Sequence, residues 1–320
     1  MSIDSKYYQH SSDKAALKTL KAVPGFSKVM KYFIDSTFER QFRIENMSGN
    51  VRADEKQLSE YYYMLPPICE KLGIDIPELY VDLDPAPNAY TYGDTNPFIV
   101  VTTGLLESMP NELIPSVLAH ECGHIACHHT LYTTMGRIIL KSSSQFLNSM
   151  PFGAFVSLSM QIAFFHWMRC SEYSADRAAA ICDGNDENMI EVCMRLAGYR
   201  NGLEANANKQ EFINQAIEYK EMINNSKINK AFEFFMLLDK DHPLTAVRAY
   251  EVREWVKSDI FRKIIDSTID EDDINDDFEK QESGSNISTA LKISSLKKQL
   301  EEGSISIEKY REEINRLLKK

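Results

Sequence analysis

The sequence predicts a mainly helical α+β fold, with a small antiparallel β-sheet just ahead of a helix that carries a pair of histidines. Three observations support this. Residues from about 13 to 72 and from about 185 to 238 space their apolar side chains at helical intervals. Residues 76–104 instead hold short β-branched and aromatic runs separated by turns containing Pro and Gly. After them comes Val117-Leu-Ala-His-Glu-Cys-Gly-His-Ile-Ala-Cys-His-His129, with two imidazoles about one helical turn apart.

Taken in order, the N-terminal helices break at Pro24-Gly25 and at Ser48-Gly49-Asn50. Leu58, Tyr61, Tyr62, Leu65 and Ile68 keep helical spacing over 57–72, although Pro66-Pro67 must interrupt or bend that run. Segments 78–84, 88–92 and 98–103 read as three strands, with Pro85-Ala86-Pro87 and 93–97 as turns. Such a sheet leaves an edge to which an extended peptide can add. Residues 104–110 lead into the histidine helix, which starts near Asn111 or Pro115.

Residues 142–168 contain no Asp, Glu, Lys or Arg. They read as a buried or surface-docked helical hairpin, with membrane contact as the alternative. Asp241-His242-Pro243 opens a helix running through Trp255, since Pro suits a first helical turn. Residues 266–282 are acidic and poor in apolar side chains, a solvated linker. Two helical runs about Gly303 fill 289–320. The expected organisation is one large domain over 1–264, a linker over 265–288 and a helical hairpin over 289–320.

The chemistry concentrates on the histidine helix. His120 and His124 share one face and can bind one ion. Glu121, displaced by roughly a third of a turn, can reach a metal-bound water without taking a ligand position. His120-Glu121-x-x-His124 is thus the H-E-x-x-H pattern of zinc-dependent hydrolases. On a helical wheel His128 joins this arc, while Leu118, Cys122 and Ile125 form a packing arc. A catalytic zinc keeps three protein ligands and one open position. Glu172 fits as the third, with His128 as the alternative, and Asp176, four residues beyond Glu172, fits as the carboxylate that orients a ligand imidazole. Ala175, Ala178, Ala179 and Ala180 would let their helix approach another backbone closely.

Bulk composition narrows the classes. The 320 residues are 43 % hydrophobic and 26 % charged, ordinary values for a globular chain with a sizeable core. A net charge of −11 excludes nucleic acid as the main partner. Six cysteines are too few for a disulfide framework, and Cys122 and Cys127 lie inside the histidine stretch. Free thiols in a reducing cytoplasm are expected, and the polar N-terminus shows no secretory signal.

Together, His120-Glu121-x-x-His124, Glu172-x-x-x-Asp176, Pro87-Asn88-Ala89-Tyr90 ahead of the strand at Phe98, and His242-Pro243 with Arg248 resemble the HtpX and CAAX-prenyl-protease family of zinc metallopeptidases over about residues 50–256. The resemblance implies a zincin-like, mostly helical core and endopeptidase activity on peptide or protein substrates. By matching positions, His120, His124 and Glu172 would hold one Zn²⁺ and Glu121 would be the catalytic glutamate. Asn88 and His242 would contact the substrate carbonyl or the tetrahedral intermediate, with Arg248 among the substrate-binding residues. The chain lacks the N-terminal spans of the membrane members and so looks like the soluble branch. Leu300-x-x-Gly303-x-Ile305-Ser306-x-Glu308-x-Tyr310 resembles a SHOCT-type C-terminal domain, which would make 289–320 a self-association element. The rivals are a membrane-associated quality-control protease anchored through 142–168 and a non-catalytic zinc-stabilised scaffold. A scaffold has no need of Glu121.

Overall fold

A computed structural model describes residues 2–34, 38–141, 153–200, 207–226, 244–273 and 303–319, with a few isolated positions besides. Helix α1 (Ser11–Lys21) starts where the His10 ring accepts from the Ser12 backbone N–H, and it buries Asp13, Ala16 and Leu20 along one stripe. Helices α2 (Phe26–Ile34) and α3 (Phe38–Gly49) follow, then strand β1 (Val51–Ala53). The proline pair resolves into two helices, α4 (Ser59–Tyr62) and α5 (Leu65–Leu72). Pro66 and Pro67 lie in the first turn of α5, where a missing N–H costs nothing.

Strands β2 (Glu78–Asp82), β3 (Ala89–Tyr92) and β4 (Phe98–Thr102) complete a four-stranded sheet ordered β1-β2-β4-β3. The sheet is mixed, which corrects the antiparallel expectation. β2 and β4 are parallel, with Leu79 opposite Ile99, while β1 and β3 pair antiparallel with β2 and β4. The cause is the crossing after β2. Residues 83–88 carry the chain past the future place of β4, β3 runs back, and the 93–97 turn returns β4 between β2 and β3. Gly104 is required just beyond β4, because a Cβ there would stand 2.2 Å from the Pro85 carbonyl oxygen.

After α6 (Thr103–Ser108), helix α7 (Ile114–Ala126) carries the histidine motif. It ends before His128, whose φ of 56° turns the chain into α8 (Thr130–Lys141). Helix α9 (Leu158–Asp183) is a single rod that holds both the latter part of the uncharged segment and Glu172. Over 158–168 the expected buried helical element is formed by the first turns of α9, with Met160, Phe164, Trp167 and Met168 packed against α1, α2 and α8. Residues 142–152 lie outside the described residues. Among those described, no helix is long and apolar enough to cross a membrane. Helices α10 (Glu187–Leu196), α11 (Lys209–Asn224), α12 (Thr245–Val256) and α13 (Asp259–Ile265) close the far side. Of the tail, residues 303–319 are described and hold helix α14 (Ile307–Lys319), preceded by Gly303 at φ 70°. The rest of 289–302 lies mostly outside the described residues.

Two large apolar cores result among the described residues, beside a small cluster of Tyr80, Phe98 and Val100 on the sheet. One joins the sheet, α5, α7, α10 and α12; the other joins α1, α2, α8 and the first half of α9. The chemical groups sit where α7 and α9 bridge these cores.

Candidate metal centre

Small side chains bring α7 and α9 together. A Cβ on Gly123 would lie 2.6 Å from the Ala178 Cβ and 3.1 Å from the Ala175 Cα. That closeness lets the short Glu172 side chain meet both motif imidazoles. Glu172 Oε2 stands 3.5 Å from His120 Nε2, and Oε1 stands 3.4 Å from His124 Nε2. The two imidazoles are set edge-on, 4.9 Å between ring centres. One donor atom from each of His120, His124 and Glu172 lies within 4.8 Å of the others, the one such metal-competent group among the described residues. All three are buried, and two imidazoles with one carboxylate form a donor set suited to zinc. His128 is exposed beyond the helix end and takes no part.

Each imidazole is held from behind. His120 Nδ1 faces Asp176 Oδ1 at 2.9 Å. Arg248 clamps Asp176, its Nε donating to Oδ2 at 2.8 Å and its Nη2 to Oδ1 at 2.6 Å, while its Nη1 stands 2.9 Å from Glu172 Oε2. Arg248 also borders the cleft, with its guanidinium bonded to these carboxylates. His124 Nδ1 meets His129 Nδ1 at 3.0 Å, and His129 Nε2 meets Asp13 Oδ2 at 2.8 Å. Asp13 and His129 are both fully buried. Burial opposes ionisation of Asp13, but the partnership with His129 and bonds from Gln9 and Ser174 outweigh it and hold the carboxyl below its usual range.

The two motif imidazoles respond in opposite senses. Burial lowers the pKa of His120, yet Asp176 and Glu172 together push it up to about 9. For His124 burial wins, and its pKa falls below the ordinary value. Asp176 stays below the carboxylate norm because Arg248 and His120 outweigh its burial.

Glu121 turns its Oε2 to the Thr91 hydroxyl, which donates at 2.6 Å from edge strand β3. It also lines a cleft of about 230 Å³ together with Asn88, His120, Glu172 and Arg248. Leu105, Val117, Met189, Val192 and Leu196 give that cleft an apolar wall. Asn88 is fixed by its backbone, its N–H donating to Thr102 Oγ1 and its carbonyl accepting from the Thr102 N–H, both at 2.9 Å. His242 lies outside the described residues.

Sequence reasoning missed Asp13, His129 and Thr91. Asp13 left a legible sign, an acid on the buried stripe of an amphipathic helix, which demands a buried partner. His129 left none, because it comes after the helix end, where helical spacing no longer applies.

The model of peptidase family M48 matches residues 67–256. The chain is also similar to the plastoglobule-localized metallopeptidase 48, chloroplastic, of Arabidopsis thaliana. The two are 30 % identical over 266 residues, which span 82 % of this chain and 76 % of that protein. No solved structure matches the chain.

Proposed function

The chain belongs to peptidase family M48 and is a metal-dependent protease, and we propose that it is a zinc endopeptidase with Glu121 as general base. The observation that carries this is the convergence of His120, His124 and Glu172 beside an acid that is not itself needed to hold the ion. These three would hold the zinc, which when bound polarises a carbonyl and makes a water acidic enough to deprotonate near neutral pH. Thr91 keeps one oxygen of Glu121 occupied, leaving the other to accept the proton of the attacking water and return it to the departing amine. Asn88, on the cleft wall, and His242 are proposed to donate to the developing oxyanion. Arg248 and Asp176 hold the His120 ring and the Glu172 carboxylate in place. An extended peptide laid along the edge strand β3 would bring its scissile carbonyl beside α7, with an apolar side chain toward Val117 and Val192.

All six cysteines are free, which supports a reducing compartment such as the cytoplasm. A second reading, attachment to a membrane or lipid surface, is favoured by the plastoglobule named for the Arabidopsis relative. Sedimentation of the native chain with membranes, before and after a carbonate wash, separates the two. The tail over 289–320 is proposed as a SHOCT-like self-association element.

Glu121→Gln tests the catalytic reading. The variant is expected to bind one zinc per chain and to cleave a peptide library about 10²–10⁴-fold more slowly. Cleavage at the wild-type rate would remove the general-base role, and a zinc-loaded wild type that cleaves nothing would revive the scaffold reading.

A further inference from the structure

Asp13 lies on α1, outside the 67–256 stretch matched by the family, and yet its carboxylate ends a chain of hydrogen bonds that begins at a metal-binding imidazole. Four donors surround it. Trp167 Nε1 reaches Oδ1 at 2.9 Å, while Ser174 Oγ, Gln9 Nε2 and His129 Nε2 reach Oδ2 at 2.8, 2.9 and 2.8 Å. The direction of the serine bond is fixed, since Ser174 Oγ accepts the His10 backbone N–H and so spends its own hydrogen on Asp13. A fully buried carboxylate with these partners accepts from all of them, and His129 must therefore carry a proton on Nε2.

Two arrangements of the remaining protons are possible between the rings. If His129 also carried a proton on Nδ1, it would donate to His124 Nδ1. The His124 proton would then sit on Nε2 and block the ligand position. If His129 Nδ1 is a lone pair, His124 donates from Nδ1 and its Nε2 lone pair faces His120 and Glu172. Only the second arrangement can bind a cation.

Resting on the reading of His124 as a ligand, we propose that Asp13 and His129 are positioning residues that fix the Nδ1–H tautomer and ring orientation of His124. The two imidazoles are then backed differently. His120 leans directly on a carboxylate that Arg248 clamps, whereas His124 leans on a carboxylate through a second imidazole. Trp167, edge-on to His129 at 5.7 Å and bonded to Asp13, holds both members of the relay. The first helix of the chain thereby becomes part of the metal centre.

The test uses the full chain. His129→Phe keeps the ring and loses both hydrogen bonds; its zinc affinity, measured by chelator competition, is expected to fall about 10–100-fold. His129→Gln supplies an acceptor toward His124 and a donor toward Asp13 in the same order, and it is expected to recover most of that loss. Nitrogen-15 spectra of histidine-labelled, metal-free wild type provide a readout that needs neither activity nor zinc. They should show His124 protonated on Nδ1 and His129 on Nε2. An Nε2-protonated His124, or a folded His129→Phe that binds zinc as tightly as wild type, would overturn the proposal. If His129→Phe does not fold, the Gln variant must bind zinc more tightly than His129→Ala, and equal affinities would sink the idea. Failure of the wild type itself to bind zinc would instead refute the metal-site reading, and this proposal with it.

Discussion

Arg248 answers two carboxylates at once, so its removal leaves Asp176 and Glu172 buried with His120 alone as countercharge. Breaking a buried pair in this way costs about 3–5 kcal/mol. Arg248→Met should therefore lower the unfolding free energy of the metal-free chain by about that amount. Less should be lost once zinc supplies positive charge at Glu172. Denaturant titrations with and without zinc check this, and equal losses in both states would contradict it. His120 gives a proton-counting prediction. With its pKa pushed up to about 9 it is charged at pH 7.5, and a charged imidazole cannot ligate. Zinc uptake in dilute buffer at that pH should release close to one proton per chain from His120. Affinity should weaken as pH falls below about 9, since protons and metal then compete for the same lone pair. At this scale much of the site was legible, because H-E-x-x-H fixes three side chains through helical spacing alone. Of the supports Asp176 was legible, four residues beyond Glu172, but Asp13 and His129 were not, since nothing in sequence order joins Asp13 to a histidine 116 positions away.

The crossing of α7 and α9 is the element on which the ligand geometry depends. Gly123→Ala would drive a methyl into Ala178 and the Ala175 backbone. Overpacking of this kind costs about 1–3 kcal/mol. Zinc affinity should fall with stability, because separating the helices draws Glu172 away from the two imidazoles. Ala178→Gly in the same chain should restore part of both, read by denaturant unfolding and zinc titration. If Gly123→Ala left both unchanged, close approach of these helices would not be what sets the site. The run of alanines after Glu172 made this crossing readable from sequence. The sheet was only partly readable. Its three longer strands are bounded by proline and glycine, but β1 is too short to show a pattern. The parallel pairing of β2 with β4 depends on which side the 83–88 crossing takes, and no local rule decides that. A five-residue strand without a polar face, Phe98–Thr102, was the one hint that β4 is central, and all five of its residues are buried. The helical, buried character of the uncharged segment was readable over 158–168, but its continuity with the Glu172 helix was not, because a change in composition does not mark an end in a helix that runs from Leu158 to Asp183.

For the whole molecule, the placement of the centre between two cores makes acid stability a property of both. His10 and His166 are lowered mainly by burial, to about 3 and about 4. Below the ordinary pKa of about 6.5 the unfolded chain binds these protons and the folded chain does not, so stability must fall with pH. His120, charged in the folded state throughout, opposes this slope near pH 6.5 and adds none once the pH is low enough to charge it in the unfolded chain too. The metal-free chain should therefore lose up to about 1.4 kcal/mol per pH unit for each of the two histidines, from pH 6.5 toward about 4. Thermal melts across that range check it, and a flat profile would contradict it. The most direct measurement of the central claim is zinc-edge X-ray absorption on the full chain loaded with one equivalent of zinc. Two imidazole nitrogens and oxygen donors at about 2.0–2.1 Å, with no sulfur, are the predicted shell, and Glu172→Ala should weaken it. A zinc–sulfur distance of about 2.3 Å, or a shell with fewer than two imidazoles, would contradict the account.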